Sequence, residues 1–364
     1  QMCIRDRTMS RPTARESIAL MAGYHSPQID VDVRLNTNES PEPPPEGFTD
    51  AVAARVAEIA WHRYPQRSAS KLRSRIGANY GLSASQVFAA NGSNEVLQTL
   101  LLTFAGPGRS AAVFEPTYAL HSHLSRITGT TVIEGERNDD FSLDLDEVER
   151  VIVEHRPDVV FLCSPNNPTG VVDPEASIRR VLELTAANGG LLCVDEAYGQ
   201  FADFSAVTLV GDDIPLVVSR TYSKTWAMAA VRLGYLLAPS WVIDELEKVV
   251  LPYHLDAMTQ IAGEVALDHL DAMNDRVARL VDERERLLAG LADLPVDVWP
   301  SGSNFVLLRP QHLSGDDVWQ GLVDRSVLVR NCASWPRLQG CLRVTIGTPD
   351  EDDRFLEALT EVLT

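Results

Sequence analysis

The sequence predicts an α/β protein, with a large domain built on a mostly parallel mixed sheet between helices and a smaller α+β domain. Three observations carry this. Between about Ala89 and Ala238, apolar runs of strand length alternate with helical patterns, the order expected of βαβ units. Those runs are apolar on both faces, as in strands covered on each side. Beyond about Lys248 the texture changes to a long charged helical pattern and then short strand-like segments. A chain of 364 residues has room for about two domains.

Taken in order, residues 1–8 (QMCIRDRT) show no periodicity and precede Met9, so they read as a scar outside the fold. They lack the apolar core of a secretory signal. Residues 9–40 form an N-terminal arm and part of the small domain. The large domain spans 41–248 and opens on PEPPPEG, Pro41 to Gly47, a rigid linker or surface turn because proline suits neither helix interior nor central strand. A helical pattern follows from Phe48 to Ala60, then the polar loop WHRYPQRSAS. The clearest strands are PDVVFLCSP, GGLLCVDEAY, IPLVVSRTYS and RLGYLLAP. The small domain, 249–364, starts with a helix from about Met258 to Leu291. Strands SNFVLLRP, SVLVRNC and CLRVTIGT come next, with a helix near Gly315 to Asp324. A last helix begins after Pro349, where the acidic run Asp350 to Asp353 suits a helix N-terminus.

Composition narrows the function. Thirty-two basic against 51 acidic residues give a net charge of −19, which repels nucleic acid and anionic membranes. No segment reaches the ~18 uninterrupted apolar residues of a membrane span. The five cysteines (Cys3, Cys163, Cys193, Cys332, Cys341) form no C-x-x-C pair. A disulfide framework and a metal site are therefore not expected, and a reducing cytoplasm fits. His121 and His123 have no third ligand in register, so they read as packing or solvated residues.

The chemistry gathers at strand ends. Asn167 follows the first strand, Asp195 ends the second, and Lys224 follows the third, at intervals of 28 and 29 residues. Each interval is about one βα unit, so amide, carboxylate and amine arrive at the carboxyl edge of one parallel sheet, where open α/β sheets bind ligands. A buried Asp195–Lys224 ion pair is the plainer alternative. Against it, Gly92, Ser93 and Asn94 open an amphipathic helix whose N–H groups suit a phosphate. Arg232 offers a charged fork to the same anion. Amine, carboxylate and phosphate cradle together suggest pyridoxal 5′-phosphate.

ANGSNE, EPTY, SPNNPTG, VDEAY and the SK-x7-R spacing, in this order, resemble fold-type I pyridoxal-phosphate-dependent aminotransferases. LNTNESP, HRYP and VLVRN followed by LRVTIGT narrow the resemblance to the histidinol-phosphate aminotransferase subfamily. The resemblance implies that Lys224 joins the cofactor covalently and then carries the reacting proton. It implies that Asp195 pairs with the pyridine N–H, and that Asn167 and Tyr198 bond the ring 3-oxygen. Tyr118 stacks on the ring. Gly92, Ser93, Asn94, Thr221, Ser223 and Arg232 surround the phosphate, which Tyr64 reaches from the second subunit of a homodimer.

For the substrate, the resemblance assigns Arg343 to a carboxylate and Arg330 to a phosphate, with Tyr24 and Asn36 near the mouth and Asn167 beside the reacting amine. It implies transfer of the amino group from histidinol phosphate to 2-oxoglutarate, giving imidazole-acetol phosphate and glutamate in histidine biosynthesis. An aromatic amino acid aminotransferase and a threonine-phosphate decarboxylase share these motifs. A pyridoxal-phosphate-sensing regulator would need a DNA-binding module, and only about thirty residues precede the first motif.

Overall fold

The structure, a computed structural model, describes residues 12–19, 21, 23 and 28–364. The readings for Tyr24 and for residues 1–8 lie outside these. Twelve strands are present among the described residues: β1 Val33–Leu35, β2 Val87–Ala90, β3 Ser110–Glu115, β4 Thr131–Glu136, β5 Val159–Cys163, β6 Leu191–Asp195, β7 Leu216–Thr221, β8 Gly234–Leu237, β9 Val296–Val298, β10 Phe305–Pro310, β11 Val327–Asn331 and β12 Leu342–Thr345.

Seven of them form the large sheet, in the order β2-β8-β7-β6-β5-β3-β4. β3 to β7 pair in parallel, with registers such as Cys163 opposite Asp195. Every residue of β5, β6 and β7 is buried, which accounts for their apolar runs; the polar Asp195, Ser219, Arg220 and Thr221 come only at the carboxyl ends of β6 and β7. β8, the RLGYLLAP run, pairs antiparallel with both β7 and β2. The link from β7 holds only the short turn Ala229–Val231 and no crossover helix, so the chain folds straight back.

The small sheet has the order β1-β11-β12-β10-β9. β1, from the N-terminal arm, runs parallel to β11, while β11, β12, β10 and β9 pair antiparallel. The arm is thereby stitched into the small domain.

Two helical readings change. The helix starting at Phe48 ends at Val56, because the next turn leaves Ala57, Glu58 and Ala60 exposed. The long pattern from Met258 is two helices, Ala257–Ala266 and Leu270–Leu291, parted by a tight turn at Leu267–His269. The first packs Ala262, Val265 and Ala266 into the core of the large sheet. The second packs Leu280, Leu287 and Leu291 into that of the small sheet. The turn parts a first helix seated on the large core from a second that leaves that core after Met273 and continues into the small one. Met273 still lies in the large core, so the two cores meet along the second helix.

The last helix, Pro349–Leu363, is capped by Thr348 and Glu351 in a reciprocal box. Asp352 is buried and accepts from the Gly347 N–H at 3.0 Å. Burial pushes its carboxyl up to about 8. Among the described residues, no helix is long and apolar enough to cross a membrane.

Candidate active site

A cavity of about 420 Å³ opens at the carboxyl edge of β5, β6 and β7, where the small sheet and the arm close over the large one. Asn167, Asp195, Tyr198 and Lys224 line it together with Ser93, Asn94, Tyr118, Thr221, Ser223, Arg232, Asn36 and Arg343. Because β5, β6 and β7 run parallel, their crossover connections bring successive carboxyl ends to one edge, which is why residues so far apart in sequence meet here.

One end of the cavity is an anion cradle. The helix Gly92–Phe104 starts there with its free N–H groups. Gly92 has φ 77°, and a Cβ on it would lie 2.7 Å from Arg232 Nη2. A Cβ on Gly234 would lie 2.2 Å from the Ser93 nitrogen. Both glycines let the helix end, β8 and the guanidinium approach one point. Arg232 Nη1 donates to Ser223 Oγ at 3.1 Å, and Thr221 Oγ1 donates to Ser223 Oγ at 3.0 Å.

A carboxylate lines the same cavity. Asp195 is 1% exposed; its Oδ1 accepts from the Ala197 N–H at 3.1 Å, and its Oδ2 faces His121 Nε2 at 3.0 Å. The following turn is anchored by the buried Glu196–Arg220 pair at 2.7 Å. His121 is fully buried and stacks on Phe161 at 4.7 Å. Asp195 and Lys224 thus form no ion pair: the alternative reading of these two residues is not what the fold builds. His121, read as packing, touches the central carboxylate. Its signal was the three-residue step from Tyr118 along the helix Ala119–Thr128, which sets both side chains on one face, their rings 5.4 Å apart.

Lys224 Nζ donates to the Thr37 carbonyl at 3.0 Å and lies 6.0 Å from the Tyr198 ring centre. Desolvation, aided by the Arg343 and Arg232 guanidiniums and opposed by Glu39, lowers its amine to about 7. The amine therefore gives up its proton far more readily than an exposed lysine, and the unprotonated form is the one that can attack a carbonyl. Tyr198 packs edge-on against Phe305 of β10, so the small domain's core fixes its ring. Burial pushes its phenol up to about 12, so it keeps its proton. Tyr118 reaches Asn94 Oδ1 at 3.4 Å.

Arg343 spans the two domains. Its Nη1 donates to Asn167 Oδ1 at 2.6 Å and its Nη2 to the Asn36 carbonyl at 3.0 Å. Asn167 therefore turns its NH2 end to its remaining surroundings. Arg330 sits directly opposite Arg343 in the β11–β12 register, so the two side chains share one sheet face. Its guanidinium lies 5.0 Å from the Trp335 ring. It flanks the cavity without lining it. Tyr64 is not brought to the cavity of its own chain: it is 79% exposed and stacks on Tyr253 at 4.4 Å. Three lining residues, Thr37, Asn38 and Glu39, were passed over by sequence reading although they sit inside LNTNESP. Among the described residues, no group of three or more His, Cys, Asp or Glu could hold a metal ion.

The family model for class I and II aminotransferases matches residues 30–359. A histidinol-phosphate aminotransferase of Frankia casuarinae is 44% identical over 362 residues, covering 96% of this chain and 90% of that protein. One of Mycolicibacterium smegmatis is 44% identical, covering 98% and 94%. The solved structure of a Sinorhizobium meliloti histidinol-phosphate aminotransferase, in complex with pyridoxal-5′-phosphate, superposes with a TM-score of 0.88 over 98% of both chains. At 19% identity that likeness speaks for the fold. The chain belongs to the class I and II aminotransferases, within the histidinol-phosphate aminotransferase family.

Proposed function

We propose that this protein binds pyridoxal 5′-phosphate in the cavity and transfers the amino group of histidinol phosphate to 2-oxoglutarate, acting as a homodimer. The residues present fit the cofactor: an anion cradle, a buried carboxylate and a lysine amine depressed to about 7 line one cavity. When bound, the cofactor supplies an aldehyde for the incoming amine and a ring that takes up negative charge.

The protein's own residues do the rest. Ser93, Asn94, Thr221, Ser223 and Arg232 hold the phosphate, and Tyr118 covers one ring face. Asp195 keeps a proton on the ring nitrogen, and His121 steadies the carboxylate. Asn167 and Tyr198 donate to the 3-oxygen. Lys224 Nζ would be the amine that holds the cofactor's aldehyde carbon and would afterwards hold the proton moved at the substrate carbon. Arg343 takes a substrate oxyanion with its planar fork.

The capture step has a pH signature. An amine at about 7 rather than 10.5 loses its proton well below an ordinary lysine. Uptake of pyridoxal phosphate by the stripped protein, followed by visible absorbance, is expected to quicken as pH rises through about 7 and then level off. A rate still climbing towards 10 means that Lys224 titrates as an exposed lysine.

The observation that carries the substrate choice is the arginine pair. Like charges placed opposite one another on adjacent strands repel, and a bound anion offsets that repulsion. Arg330 and Arg343 hold this arrangement at the cavity's edge. The homodimer rests on Tyr64, which is exposed beside Tyr253, with Trp61 and Leu251 exposed close by in sequence. Such aromatic exposure suits a surface covered by a second copy, and the partner's Tyr64 is then free to reach the phosphate.

Steady-state assays test the reading. Histidinol phosphate is expected to exceed phenylalanine and O-phosphothreonine in kcat/KM. A tenfold preference for phenylalanine, about 1.4 kcal/mol, overturns it. Arg330→Ala is expected to lower kcat/KM for histidinol phosphate by about 10–100-fold, the worth of a charged hydrogen bond, and to spare carboxylate-only donors. Equal losses on both make Arg330 structural.

A further inference from the structure

Asn38 has no part in the roles above, yet its placement is unusual. It is 1% exposed and has φ 54°, in the left-handed region that non-glycine residues seldom adopt. Its surroundings hold it there. Its N–H donates to Thr345 Oγ1 at 3.0 Å, and its carbonyl accepts from Asn304 Nδ2 at 3.2 Å. The Thr345 hydroxyl, already an acceptor, gives its own proton to Asn38 Oδ1 at 3.1 Å. That leaves the NH2 end of the amide, which donates to Tyr198 Oη at 2.8 Å.

The consequence falls on the phenol. With one lone pair taken by Asn38, the Tyr198 hydroxyl points its proton elsewhere, and both residues line the cavity. A hydroxyl that accepts one hydrogen bond also becomes a stronger donor. We propose that Asn38 is a positioning residue: it holds Tyr198 as a hydrogen-bond donor into the cavity, towards the ring 3-oxygen of the cofactor. This rests on the cofactor reading given above. Asn38 also ties Tyr198 to β12 through Thr345, two residues beyond Arg343, so the substrate-binding strand and the phenol share one anchor.

The test is a pH titration of the visible absorbance of the holoenzyme, in wild type, Asn38→Gly and Asn38→Asp, and in each again with Tyr198→Phe. Glycine accepts the left-handed backbone and removes only the amide. Its absorbance midpoint is expected to rise by roughly half a unit to one unit, because a weaker donor stabilises the 3-oxygen less. Asn38→Asp keeps the shape but takes the phenol's proton, so its rise is expected to be larger. With Tyr198→Phe in place, Asn38→Gly is expected to move the midpoint no further, while Asn38→Asp keeps only the part of its rise that its own charge supplies. An unchanged midpoint in Asn38→Gly overturns the assignment, as does an equal shift with and without the Tyr198 hydroxyl. A wild-type protein that develops no visible band on addition of pyridoxal phosphate overturns the cofactor reading itself, and this assignment with it.

Discussion

Replacing Lys224 with alanine is expected to lower turnover by at least about 10⁴-fold and to abolish the visible band. The residue supplies both the attacking amine and the proton carrier, and functions that act as a unit fail together. The fold is expected to survive. Lys224 makes a hydrogen bond to the Thr37 carbonyl and sits where burial and two guanidiniums disfavour its charge, so its removal relieves an unfavourable arrangement. Lys224→Arg sharpens the test, since a guanidinium keeps the charge but stays protonated and cannot attack. Kinetics, absorbance and thermal melting on the two variants check this. An alanine variant that keeps both the band and turnover would falsify the assignment of the nucleophile.

Asp195→Asn is expected to cost on the order of 10³-fold in kcat with the protein still folded and the phosphate cradle intact. The amide has the carboxylate's shape, and its oxygen can still accept from His121 Nε2 or the Ala197 N–H. What it lacks is the charge. Two opposite charges about 3 Å apart, at an effective dielectric of about 20, are worth roughly 5 kcal/mol, enough for a loss of that size. Binding of pyridoxal phosphate is expected to weaken far less than kcat, because the substitution leaves the cradle of Ser93, Ser223 and Arg232 in place. Measuring cofactor dissociation alongside kcat separates the two. A variant within tenfold of wild type in kcat shows that Asp195 serves only to hold His121.

Much of this site could be read from the chain because its members lie at the ends of regular elements. Asn167, Asp195 and Lys224 stand one βα unit apart, and parallel strands with helical crossovers carry their carboxyl ends to one edge. The glycine-led start of the helix Gly92–Phe104 and the strand context of Arg343 are equally local signals. Composition bears on partners in the same way, since net charge needs no fold to be counted. By contrast, His121 meets Asp195 across 74 residues, Asn38 meets Tyr198 across 160, and Arg343 meets Asn167 across 176.

The sequence by itself therefore determined the α/β class, the alternation of elements, and which residue types reach the reactive edge. Only the tertiary structure decided the antiparallel turn of β8, the break at Leu267–His269, the partner of Asp195 and the anchor of Tyr198. The reason is physical. Periodicity and capping are set by neighbours a few residues away, whereas these contacts depend on how two separate hydrophobic cores dock. That docking is settled by side-chain packing along the whole seam, which no short stretch of chain encodes.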